Sequence, residues 1–86
     1  MAKSQTTLLT INVSTNVQFT PEMLFQLQQT VSSKFDVTAV VVPNPSISKL
    51  VEVTSDTADQ DTINNIEVDS TTMLIQLIEV AAQANQ

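Results

Sequence analysis

Two short segments set a serine close to a lysine: SSK at 32–34 and SISK at 46–49. A neutral lysine amine can take the proton of a serine hydroxyl, so such pairs are the simplest nucleophilic apparatus open to a chain without histidine or cysteine. Spacing argues against it. Adjacent residues of a strand point to opposite faces, and Lys34 and Lys49 both read as exposed segment ends. The remaining chemical candidate is the acidic run SDTADQDT at 55–62. Asp56, Asp59 and Asp61 offer the oxygen donors that calcium prefers, yet an EF-hand loop wants acids at its first, third and fifth positions, then a glycine and a distant glutamate. Counted from Asp56, the third position is Ala58 and the glycine position is Asp61, so the spacing fails although the last position, Glu67, fits. A solvated loop without metal is the expectation.

The inventory behind these candidates is short. Histidine, cysteine, tyrosine, tryptophan and glycine are all absent, and the three cations are all lysines. Without glycine no phosphate-cradling loop of the P-loop or dinucleotide type can form. The chain therefore reads as non-enzymatic, with no cofactor and no small-molecule substrate. Turns that need positive φ must use Asn or Asp, and Asn16, Asn44, Asn64 and Asn65 are the candidates.

Charge is divided unevenly along the chain, whose net is −6. Residues 1–50 carry Lys3, Lys34 and Lys49 against Glu22 and Asp36; residues 51–86 carry seven acids and no base. So few cations cannot neutralise a nucleic-acid backbone, and an anionic membrane surface would repel the chain. The acids at Glu52, Asp56, Asp59, Asp61, Glu67 and Asp69 allow two uses. They keep a small protein soluble, with Asp69 favouring a helix dipole. Alternatively they form a patch that docks on a basic surface, as an acidic inhibitor of a nucleic-acid-handling protein would.

The opening MAKSQTTLLTINV lacks the apolar core of a signal peptide, and no oily run reaches the ~20 residues of a bilayer span. The cytoplasm of the producing or host cell is the expected location, or a virion. Eighty-six residues, 42% of them hydrophobic, make one domain spanning 1–86. A chain this small buries only roughly 60–65% of its unfolded surface, so burial against another chain is the natural supplement where no disulfide is possible.

Hydrophobic periodicity places the elements. Leu9, Ile11 and Val13 alternate with polar residues over 7–14, a half-buried strand. Thr20 caps a helix that starts at Pro21, and Met23, Leu24, Leu27, Val31 and Phe35 form its inner stripe, leaving Phe25 outside. Residues 36–43 are a strand apolar on both faces, which suits the middle of a sheet. PNPS turns the chain into a third strand over 47–55, with Ile47, Val51 and Val53 inward. In 64–69 Ile66 and Val68 alternate, favouring a short strand over a lead-in to the last helix, and Ser70 or Thr71 caps that helix. The segments INVS and MLFQL echo IEVD and MLIQL, as two strand–helix units would. The fold class is α+β, in order β-α-β-β-(β)-α, a small mixed sheet with two helices on one face. It is similar to a ferredoxin-like sandwich lacking its closing strand, an analogy of fold alone.

The last helix is too oily for its place. Stepping 100° per residue from Thr71, apolar side chains from Met73 to Ala84 fill an arc of about 220°, while Gln76, Glu79, Gln83 and Thr72 crowd into the rest. A helix on one side of a sheet needs little more than about 100°. Close packing of small residues (Ala81, Ala82, Ala84) against the first helix accounts for part of the excess. Phe25, Leu74, Ile75, Leu77, Ile78 and Ala81 are the expected interface. The function expected is assembly: the chain associates with itself as a homo-oligomer or docks into a larger complex, an economy that suits a small viral or phage component.

Overall fold

The computed structural model describes residues 7–84. The alternating opening segment becomes β1 (Leu8–Ser14), and Thr20 caps α1 (Pro21–Phe35). The Thr20 hydroxyl accepts from the Met23 amide at 3.2 Å. Met23 sulfur in turn receives the Thr20 N–H at 3.4 Å, filling the place that glutamate takes in the usual capping box. α1 ends where Asp36 turns left-handed at φ 54, the one positive φ among the described residues. Val37 N–H then returns to the Ser32 carbonyl at 3.1 Å, as in a Schellman closure. None of the four asparagines takes that role: Asn64 and Asn65 are helical, and the short-side-chain acid at the helix end is what the backbone uses instead.

β2 (Thr38–Asn44) and β3 (Val51–Thr54) follow, then a single long helix, α2 (Gln60–Ala84). The sheet is ordered β2-β1-β3, with β1 parallel to β2 and antiparallel to β3. This is a small α+β fold with a mixed sheet. Leu9, Ile11 and Val13 from β1, Ala39 from β2, and Val51 and Val53 from β3 form its inner face. Leu27 and Val31 of α1 and Ile63, Ile66 and Leu74 of α2 close the same core, so both helices lie on one face.

Three readings of the sequence are corrected. Residues 64–69 are neither strand nor lead-in; they are the second and third turns of α2, and the cap is Asp59 rather than Ser70 or Thr71. Asp59 carboxylate accepts the Thr62 N–H at 3.0 Å, and its carbonyl accepts the Ile63 N–H at 3.0 Å. The echo of IEVD with INVS is therefore one of letters, not of structure. Second, the two-faced valine strand is an edge, and β1 is the centre. In the split ferredoxin-like arrangement another strand separates the two joined by the first crossover; here β1 and β2 are direct neighbours. Third, the last strand is shorter than 47–55, and Ile47 is only half-buried in the bend before it.

Among the described residues, no helix covers the second face of the sheet. Thr10, Asn12 and Ser14 of β1 share it with Val40 and Val42 of β2 and Glu52 of β3. Asn12, buried in the middle of that face, donates to the Glu52 carbonyl at 3.0 Å and accepts from the Asn44 amide at 3.1 Å. One side chain thus ties the central strand to both neighbours.

Candidate functional site

α2 passes through two environments. The spacing of Ile63, Ile66, Ser70 and Leu74 follows helical periodicity and puts all four on the line that meets the sheet, where all are buried. Beyond Leu74 the helix continues for ten residues, and Leu77, Ile78 and Ala81 keep the line only half-buried. On the flanks burial fails: Ile75 is 44% exposed and Val80 63% exposed. These two are five residues apart, about 140° around the helix, so they stand on opposite flanks of the inner line. Val68, 65% exposed, lies one heptad before Ile75 on the same flank.

Two grooves run beside this segment. One, of about 350 Å³, lies between α1 and α2 and is lined by Gln26, Leu27, Thr30, Met73, Gln76 and Val80, with Leu77 at its floor. The other, of about 640 Å³, opens at the end of the sandwich among Val17, Phe19, Met23, Pro43, Ile78 and Ala81. Neither has a charged residue in its lining. In a chain of net charge −6 that is a notable neutral zone.

The residues expected at the interface are thus divided. Ile75, Leu77, Ile78 and Ala81 gather on the C-terminal part of α2. Leu74 is fully buried within the chain's own core and offers nothing to a partner; its position, one turn after Ser70 on the inner line, explains why. Phe25 is 56% exposed but stands apart, about 160° around α1 from buried Leu27. Its neighbours in the shallow depression on α1 are Gln28, Gln29, Ser32 and Ser33. The side chain of Ala84 and the residues before Thr7, Lys3 among them, lie outside the described residues.

The acids are also dispersed. Asp59 caps α2, and its carboxyl is held below the ordinary value by the Thr62 hydrogen bonds. Asp69 pairs with Lys34 at 2.6 Å, joining the end of α1 to α2. Glu67 pairs with Lys49 at 2.8 Å and accepts the Val53 N–H at 3.0 Å. Glu52 faces the uncovered side of the sheet, while Asp56 and Asp61 are exposed at the loop and first turn of α2. Among the described residues, no group of three or more acids converges as a metal site would require, and no helix is long and apolar enough to cross a membrane. Both lysines of the serine–lysine segments are engaged with carboxylates.

Sequence reasoning missed the role of the polar side of α1. Ser32 Oγ accepts the Ala39 N–H and Gln28 Oε1 accepts the Val41 N–H, each at 3.2 Å. Both amides point away from β1, along the outer edge of β2. The uncharged Gln/Ser flank of α1 is thus the cover of an edge strand. The available signal was Pro43 in a strand, which marks an edge.

Comparison with protein-family models, with curated sequences and with solved structures finds no match for this chain.

Proposed function

We propose that the protein is a non-enzymatic assembly component that associates with a second copy of itself, or with a larger complex, through the C-terminal part of α2. One observation carries this reading: Ile75 and Val80 are exposed on both flanks of a helix whose inner line faces its own core, with an uncharged groove on either side. Large aliphatic side chains left in water forfeit roughly 1.5–3 kcal/mol each relative to burial, so a partner surface that covers them is strongly favoured. Glu79 is the sole charge between Ser70 and Ala84, so two acidic chains can meet here with little like-charge repulsion.

Docking through an acidic patch has less support, because Asp59, Glu67 and Asp69 are each committed to contacts inside the chain. Sedimentation of the full chain across concentration tests the main reading. The expected result is a mass that rises with concentration and falls to the monomer in the Ile75→Glu/Val80→Glu double variant. A monomer at high micromolar concentration that also binds nothing from its native complex sinks it.

A further inference from the structure

The two outer edges of the sheet are closed by different chemistry. Amide groups of an edge strand that face outward invite another strand to pair. Along β2 the outward positions are 37, 39, 41 and 43, since Thr38 N–H points inward to the Thr7 carbonyl. Val37 donates to the Ser32 carbonyl, Ala39 to Ser32 Oγ and Val41 to Gln28 Oε1, while Pro43 has no N–H. No charge takes part, so neither salt nor pH opens this edge. Along β3 the Leu50 carbonyl faces β1, which turns Val51 and Val53 outward. The Val53 N–H is held by the Glu67 carboxylate, and Glu67 is clamped by Lys49.

We propose that the Lys49–Glu67 pair is a latch on the outer edge of β3, and that its release lets β3 pair antiparallel with β3 of a second copy. Strands related by a two-fold axis present the same edge to each other. With Val53 facing Val53, each pair of strands keeps its valines on the core side and sets Glu52 opposite Thr54 rather than opposite a second Glu52. In this register the end of β3 that Lys49 enters meets the loop after Thr54 of the other copy, which carries Asp56, a charge of opposite sign. At neutral pH the latch is shut. Burial raises the Glu67 carboxyl, but the Lys49 hydrogen bond, the Val53 amide and the Lys49 charge outweigh it and hold the group below its ordinary 4.5. A lowered folded-state pKa means the hold is complete above 4.5 and is lost as pH falls through the folded value. The charged groups that face Glu67 are Lys49 from the loop and Glu52 from β3; its neighbours Gln60, Asn64 and Thr71 on α2 are neutral.

Amide exchange at Val53 and sedimentation of the full chain test the latch. In Glu67→Ala at pH 7, Val53 should exchange about tenfold faster at dilutions where the chain is monomeric, the loss of a charge-assisted hydrogen bond, and regain protection as the dimer forms. A dimer should form that survives Ile75→Glu/Val80→Glu, which separates it from association through α2. Glu67→Gln keeps an acceptor of the same shape and no charge. After correction for intrinsic exchange, Val53 protection should fall with acidification in the wild type and stay flat in this variant. The same pH dependence in both proteins overturns the latch, and so does an E67A chain that folds with unchanged Val53 exchange and unchanged mass.

Discussion

The two halves of α2 share one helical backbone and differ in everything that surrounds it. From Gln60 to Leu74 the helix is capped by Asp59, sealed to the sheet by Ile63, Ile66 and Leu74, and tied to β3 through Glu67 and to α1 through Asp69. From Ile75 onward it has no ion pair among the described residues, no basic side chain in its last turn to meet the dipole, and apolar groups on both flanks. Helical order in the second half is thus carried by Leu77 and Ile78 against the core edge and by continuity with the first half. The difference teaches that hydrophobicity alone does not mark the core. Leu74 and Ile75 are neighbours of similar character, and a rotation of 100° separates a buried anchor from an exposed flank.

Substitutions that treat the halves alike will separate them. Leu74→Ala should cost about 2–5 kcal/mol in chemical denaturation, the range for truncating a sealed core leucine. Ile75→Ala should cost little in the dilute monomer, and a loss equal to that of Leu74→Ala would erase the contrast. Within the buried half, Ser70 is the exception: its hydroxyl is fully buried and has no hydrogen-bond partner among the described residues. Ser70→Ala removes that unmet group and improves helix propensity, so it should raise stability by about 1 kcal/mol. A measurable loss would show that the hydroxyl serves the fold.

The anchoring contacts add a smaller, pH-linked contrast. Asp59 has a lowered pKa in the folded state, so its contribution is present above the ordinary 3.8 and lost as pH falls through the folded value. Asp59→Asn retains a capping oxygen but not the charge. The stability difference between wild type and D59N should therefore shrink below pH 3.8, and a constant difference would remove the charge from the account. Least of all should change in the pair Lys34–Asp69: both side chains are substantially exposed, so Lys34→Met is expected to shift stability by under about 1 kcal/mol. A larger loss would mean that α1 is fixed to α2 chiefly by charge.

Much of the fold was legible because local signals agreed with their surroundings. Alternation at Leu9, Ile11 and Val13, and Thr20-Pro21 before a regular stripe, describe β1 and α1 correctly. The start of α2 was hidden by a single residue. Ser70 sits on the inner line between Ile66 and Leu74 and interrupts its apolar run, while Ile66 and Val68 happen to alternate; the pattern reads as a strand before a shorter helix. The oversized apolar arc was legible too, and the exposed Ile75 and Val80 are its residue. Which members of the arc would be consumed internally was not, because that depends on how far α2 overhangs the sheet.

What the sequence determined unaided is therefore the repertoire: an α+β chain, two helices for one face of a small sheet, an absence of most catalytic side chains, and an excess of greasy surface near the end. These follow from composition and short-range periodicity, which act within a few residues. Tertiary structure alone decided that β1 is central, that Gln28, Ser32 and Glu67 close the sheet edges, and that Leu74 is spent on the core while Ile75 is left outside. Those outcomes join residues from 7 to more than 40 positions apart in the chain, and no local pattern encodes a contact that exists only once the strands have chosen their neighbours.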